Sequence, residues 1–319
     1  MLFDAHTHLN FEKYTDEERR TLASEIEESE LACLIDVASD VDSAKQALRD
    51  ADDYSWCYAA VGIHPDQAPK YKAAATPEEA SKMMDADIEE IRKLAAHPKA
   101  VAIGEIGLDY YYGTDDREEQ QELFRRQIRL ANELKMPIMI HSRDAHQLTM
   151  DILKEEGAFS DERKTWFPKR PAAGVLLNAG SSETTLSVEN DAEKMPEDGT
   201  EETIYTEDDA RVQMHCYSGS VELAEEYVKL GATISLGGPI TFKNGKKAAE
   251  VARQIPVEYL LSETDAPYMA PEPLRGRPNK SPYIEHIVRR MAILKGLSYD
   301  ETCAILYANG RRFFNIGSE

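Results

Sequence analysis

The sequence has no run of about 18 apolar residues, so a helix spanning a membrane is not expected. Its opening stretch, MLFDAHTHLN, has neither a basic start nor a long apolar segment, and no signal peptide is expected there. Cysteine is scarce: four among 319 residues, with no CxxC pair. Scattered thiols of this kind fit a reducing, cytoplasmic setting. Positive charge is also short, with 37 Lys and Arg against 59 Asp and Glu, for a formal net charge of −22. That balance argues against a generic phosphate-binding surface, and no extended basic stripe offsets it. The deficit is uneven, because residues 178–210 hold eleven acidic residues and one lysine. No internal repeat stands out.

What is present is a regular alternation. Hydrophobic residues make up 42% of the chain, enough for a substantial core. Nearly continuous apolar runs fall at 2–8, 32–38, 58–63, 101–108, 137–142, 211–217, 232–237 and 260–265. Runs of that kind are what parallel strands buried on both faces require. Helical patterns lie between them. Thr15 with Glu18, and Ser298 with Glu301, read as capping boxes. Thr76 before Pro77 and Ser281 before Pro282 read as a cap followed by proline at the first helical position. Within 117–135, Phe124, Ile128, Ala131 and Leu134 share one face. Eight such units suggest either a doubly wound sheet or an α/β (β/α)8 TIM barrel, and barrels of 200 to over 400 residues form one domain. We read 1–319 as one barrel with a long acidic insertion after strand 5, about 157–210.

Polar residues gather where the apolar runs end. His6 and His8 alternate on strand 1 and so share a face. Glu105 lies on strand 4, His141 ends strand 5, His215 is on strand 6, and Asp265 ends strand 8; His64 follows strand 3. Taken singly, each is an ordinary core, rim or turn residue. Taken together they occupy matching strand ends, and in a barrel those ends meet at the carboxyl-terminal mouth where active sites lie. Four imidazoles and two carboxylates are too many for one tetrahedral zinc and suit two divalent ions sharing a carboxylate. Asp265 is placed to take a proton from an attacking water as well as to bind metal. The loop EPLRGRPNK brings Arg275, Arg277 and Lys280 near the mouth, either as phosphate contacts or as an ordinary proline-rich loop. Lys243, Lys246 and Lys247 extend the same candidate patch. Cys216, between His215 and Tyr217, is expected to face away from the barrel centre.

Seven stretches carry a resemblance: FDAHTHLN (3–10), VGIHPD (61–66), AIGEIGLDYY (102–111), MPIMIHSRDA (136–145), MHCYSGS (214–220), SETDAPYM (262–269) and YANGRRFF (307–314). With these the chain resembles the TatD metal-dependent hydrolases, a branch of the amidohydrolase superfamily. The resemblance implies that His6, His8 and Asp265 bind one metal, that Glu105 bridges, and that His141 and His215 bind a second. It implies a substrate or catalytic contact for His64, and positions near the substrate for Arg143 and Ser218. It further implies a cytoplasmic deoxyribonuclease, a 3′→5′ exonuclease or an endonuclease, working on DNA. Two departures are small: Tyr217 where Phe is common, and Gly310 where Ala is common. The acidic insertion is the large one.

Three functions follow. The first is a nuclease hydrolysing phosphodiester bonds with a metal-activated water. The second is an amide, lactone or ester hydrolase using the same centre, since fold alone does not choose the bond. The third is an interaction protein acting through its acidic insertion. Mg²⁺, Mn²⁺ and Zn²⁺ all tolerate mixed histidine and carboxylate ligation.

Overall fold

In a computed structural model, described over residues 1–113, 115–171 and 205–317, the apolar runs become eight parallel strands in the order β1 to β8. They are β1 (Leu2–Thr7), β2 (Leu31–Val37), β3 (Cys57–Val61), β4 (Ala100–Asp109), β5 (Ile138–Arg143), β6 (Val212–Met214), β7 (Thr233–Leu236) and β8 (Leu260–Ser262). The ring closes between its last and first strands. Ser262 donates to the Phe3 carbonyl at 3.1 Å, and the Asp265 amide donates to the His6 carbonyl at 2.9 Å. Thr264 donates to both Asp4 carboxylate oxygens, at 2.8 and 2.5 Å. The fold is the expected (β/α)8 barrel. No helix among the described residues is long and apolar enough to cross a membrane.

Two apolar layers result. The inner one fills the barrel with alternate residues, among them Phe3, Cys33, Ile35, Ala60, Ala102, Met139 and Leu261. Phe313 and Phe314 close its lower end, the Phe314 ring stacking 5.8 Å from that of Phe3. The outer one lies between strands and the helical jacket, where Phe124, Ile128 and Ala131 of the helix Arg117–Leu134 are fully buried. The expected capping boxes at Thr15 and Ser298 are both formed, and Thr76 accepts from the Glu79 amide. Ser281 differs from expectation. Its segment is a 3-10 turn, Ser281–Tyr283, ahead of the helix Ile284–Lys295, and its hydroxyl donates to Thr7 instead of capping.

Glycine placement explains two features. Gly107 has φ +148°, and a Cβ there would lie 1.9 Å from the His141 carbonyl oxygen, so β4 can approach β5 only without a side chain. A Cβ on Gly310 would lie 2.6 Å from the Phe3 ring, which accounts for the glycine where alanine is common. The hydroxyl of Tyr217, the other departure, donates to the Ser220 carbonyl at 2.9 Å.

Strands 6 and 8 are shorter than their apolar runs. Cys216 has φ +39° and Asp265 φ +55°, and neither backbone can extend a ladder there. Both ends of the insertion fasten under the barrel, at the amino-terminal ends of the strands. Arg170 is buried and donates to Asp209 (3.1 Å), to the Gly231 and Ala232 carbonyls (3.0 and 2.9 Å) and to Thr233 (2.8 Å). Arg163, on a short helix Asp161–Lys164, donates to the Ala210 and Met136 carbonyls at 2.8 and 2.7 Å. Arg211 and Arg312 also pair with Asp209. Residues 172–204, which include most of the acidic run 178–210, lie outside the described residues.

Candidate metal centre

The strand ends deliver their side chains to one point at the mouth, opposite the insertion's anchorage. His6, on β1, is fully buried, and His8 follows just past the strand. Their Nε2 atoms are 3.3 Å apart, and the Asp265 Oδ1 lies 3.8 Å from His6 and 3.5 Å from His8. Glu105, on β4, reaches in between. Its Oε2 is 3.4 Å from His6 Nε2, while its Oε1 is 2.7 Å from His141 Nδ1 and 3.5 Å from His215 Nε2. Oε2 therefore faces His6, while Oε1 faces His141 and His215, with His64 at 3.8 Å. The His215 ring stacks 3.5 Å from that of His6.

These separations suit a shared cation. Ligands about 2.0–2.2 Å from one ion, at tetrahedral to octahedral angles, are themselves about 3.0–3.5 Å apart. Imidazoles and carboxylates crowded at 3.3–3.5 Å, with two further pairs at 3.8 Å, come close to that spacing. The second ring nitrogens of His8, His215 and His141 are oriented from behind, whereas His6 Nδ1 is buried without a hydrogen-bond partner among the described residues. His8 Nδ1 donates to the Val37 carbonyl at 2.8 Å, which turns its Nε2 lone pair toward the site. His215 Nδ1 is 3.1 Å from Glu263 Oε2, and His141 Nε2 is 3.0 Å from Asp109 Oδ2. Carboxylates behind histidine ligands fix the ring and raise its basicity.

The electrostatics reinforce this. Burial opposes ionisation of Glu105, but His215, His64 and His6 outweigh it and hold the carboxyl well below its ordinary range. Burial likewise opposes ionisation of Asp265, which the His8 hydrogen bond and the charges of His215 and His6 overcome. Burial lowers His141, yet hydrogen bonds to Asp109 and Glu105 hold it up at about 9. For His215 the carboxylates of Glu263 and Glu105 overcome burial and hold it at about 10. His6 goes the other way, lowered by burial and by His215.

The other expected residues are more dispersed. His64 caps a 3-10 turn after β3; its Nε2 is 3.8 Å from Glu105 Oε1, and it groups with Glu105 and His141 within 4.8 Å. Arg143, at the end of β5, lies 4.0 Å from Asp109 and stacks on Tyr111, its guanidinium 3.6 Å from the ring centre. Ser218 is exposed in the loop after β6, and Arg277 is exposed in the loop after β8. Arg275 sits 4.2 Å over the Phe242 ring, joining the loops after β7 and β8. Lys280 is tied to Glu25 at 2.6 Å. Lys243 and Lys246 line a groove of about 740 Å³ beside those loops, with His286, Arg289 and Arg290.

Cys216 departs from expectation. Strand alternation ends at Met214, and at its positive φ the sulfur turns toward the site, within 4.8 Å of ligand atoms of His215 and Asp265. Burial pushes its thiol well above the ordinary value, so it stays protonated. Asp109 and Glu263 were missed as orienting groups, although both stand inside recognisable stretches, GLDYY and SETDAPYM. Asn279 was also missed; it donates to the Thr264 and Tyr268 carbonyls, 2.7 Å each, and pins the loop after β8.

A parallel barrel with imidazoles and carboxylates converging at its mouth defines a metal-dependent hydrolase. The chain belongs to the TatD related DNase family, whose model matches residues 3–173 and 181–315. It is 34% identical over 316 residues to an uncharacterized metal-dependent hydrolase, YabD, of Bacillus subtilis, covering 99% of this chain and all of that one. It is 30% identical to a 3′-5′ ssDNA/RNA exonuclease, TatD, of Erwinia tasmaniensis, over 82% of this chain and 79% of the other. The crystal structure of YJJV, a TatD homologue from Escherichia coli, superposes with a TM-score of 0.72 at 26% identity, covering 99% of this chain and 98% of that one.

Proposed function

We infer that this protein is a nuclease that hydrolyses phosphodiester bonds of DNA, working as an exonuclease from 3′ ends. The observation that carries this reading is the split of Glu105, with Oε2 toward His6 and Oε1 toward His141 and His215, because two-ion clamps suit displacement at phosphorus. His6, His8 and Asp265 would hold one divalent ion, and His141 and His215 the other, with Glu105 between them. Mg²⁺, Mn²⁺ or Zn²⁺ held there would polarise a phosphoryl oxygen and lower the pKa of a water.

The chain's own groups do the rest. Asp265 faces three imidazoles from the rim and is kept ionised, so it can accept the proton of the attacking water. Its depressed basicity makes it effective only toward a water that has itself been acidified. Asp109 and Glu263 hold the imidazoles of His141 and His215 in place. Arg143, partly exposed beside Asp109, is positioned to bind a phosphate, with His64 two strands away, just past the end of β3. Ser218, Arg275 and Arg277 are candidate outer contacts. Four free cysteines support a cytoplasmic setting.

A net charge of −22 works against a polyanionic substrate and favours the second reading, a small amide, lactone or ester. The two separate on one panel. Single-stranded DNA labelled at its 3′ or 5′ end, lactones and amides are offered with Mg²⁺, Mn²⁺ or Zn²⁺. Release of the 3′ label first, with no lactone or amide turnover, is expected. Turnover of lactone or amide with DNA left intact would overturn the nuclease reading.

A further inference from the structure

We propose that exposed tyrosines on opposite rims of the mouth, Tyr111 with Tyr112 and Tyr268, stack the unpaired bases on either side of the cleaved phosphate. The inference rests on the nuclease reading and names what gives it single-strand selectivity. Of the seven large apolar side chains exposed among the described residues, four stand at the mouth: Tyr111 (57% exposed), Tyr112 (83%), Tyr268 (49%) and Met269 (38%). Tyr111 and Tyr112 follow β4, and Tyr268 and Met269 follow β8, four strands away around an eight-stranded ring. The candidate metal centre lies between them.

Both rims are held in place from the site itself. The Tyr111 amide donates to Asp109 Oδ1 at 2.9 Å, and the other oxygen of that carboxylate faces His141. The Tyr110 amide donates to the Arg143 carbonyl at 3.0 Å. The Arg143 guanidinium lies 3.6 Å from the Tyr111 ring centre and 5.0 Å from that of Tyr112, and the two rings meet edge-on, 4.8 Å apart at 89°, making a cationic and aromatic shelf whose most exposed member is Tyr112. Opposite, the Tyr268 amide donates to the Asp265 carbonyl at 2.8 Å, and Asn279 holds the Tyr268 carbonyl at 2.7 Å. The Tyr268 ring lies 6.0 Å from each of His8 and Phe11 in T-shaped arrangements, and the residue is 49% exposed.

Aromatic rings beside a guanidinium are how proteins grip single strands, since every unpaired base offers a π-face whatever its identity. Bases within a duplex are already stacked and cannot use such a shelf. A charge-poor route of this kind also suits a chain whose surface repels phosphates. The shelf therefore selects single-stranded DNA or RNA, or frayed ends, with little preference among bases.

The test uses the metal-loaded protein, with Tyr112→Ala, Tyr268→Ala and the stacking-competent Tyr112→Phe. On an unmodified oligonucleotide each alanine variant should lose about 5- to 100-fold in kcat/KM, and Tyr112→Phe should lose little. On the same oligonucleotide with abasic sites at its two 3′-terminal positions, wild type and alanine variants should be equally slow. Binding of a non-cleavable phosphorothioate strand carrying terminal 2-aminopurine should quench its fluorescence with wild type and much less with the alanine variants. Equal losses on intact and abasic strands, or unchanged quenching, overturn the shelf while leaving the nuclease reading standing. A wild type that neither cleaves nor quenches the strand overturns both.

Discussion

At the scale of single residues, the candidate metal centre depends on which groups would touch an ion and which hold those groups still. Asp109 and Glu263 contact histidines from behind, at 3.0 and 3.1 Å. Asp109→Asn and Glu263→Gln should each weaken metal affinity or activity about 10- to 100-fold with the fold intact, measured by metal titration beside circular dichroism. The metal-free site also predicts a pH dependence. His141 and His215 are held at about 9 and about 10, so near pH 7 both carry protons that an ion must displace. Metal binding therefore releases protons and strengthens as pH rises from about 6 to 9. Calorimetry in buffers of differing ionisation enthalpy reads this directly; affinity independent of pH would contradict it. The six candidate ligands were legible in the sequence because they fall on or just past the apolar runs, although alternation fixes direction only for His6, Glu105 and His141, which lie within strands. Asp109 and Glu263 were not, because a carboxylate behind a ligand looks like any other acid until its partner is seen. Cys216 was misjudged because alternation was extended past the true end of its strand.

At the scale of elements, close approach decides outcomes that propensity alone gets wrong. Gly310→Ala in the last helix, Tyr299–Phe313, would gain about 0.8–1.0 kcal/mol of helix propensity. Its Cβ would lie 2.6 Å from a Phe3 ring that is buried and stacked on Phe314. Overpacking of that kind typically costs about 1–3 kcal/mol, so the substitution should lower Tm, not raise it. Thermal denaturation decides, and a rise in Tm would show that Phe3 has room to move. The eight strands were legible because parallel strands buried on both faces leave continuous apolar runs. Their carboxyl ends were not, since a backbone turning to positive φ at Cys216 or Asp265 leaves no mark on hydrophobicity. The turn at Ser281 was hidden for a similar reason: serine before proline suits a 3-10 turn as well as a helix cap.

At the scale of the whole molecule, the candidate metal centre and the residues that anchor the described flanks of the acidic run sit at opposite ends of the barrel. The sequence shows where the acidic run lies along the chain, but not which end of the barrel its flanks hold; that depends on long-range bonds from Arg163 and Arg170. Replacing 172–204 by a short flexible linker should leave Tm nearly unchanged, because those bonds lie outside the replaced stretch. Asp209→Asn should instead destabilise the fold by about 3–5 kcal/mol, since it leaves Arg170, Arg211 and Arg312 without their buried counter-charge. Urea denaturation separates the two outcomes. Whether a metal centre at the mouth cuts DNA is decided by stripping the protein with chelator and returning Mn²⁺ in steps while following cleavage of 3′-labelled single-stranded DNA. Cleavage should be absent in the stripped protein, return with added ion, and fall at least about 10²-fold in Glu105→Gln. Cleavage that survives chelation, or a Glu105→Gln variant as active as wild type, would contradict the account.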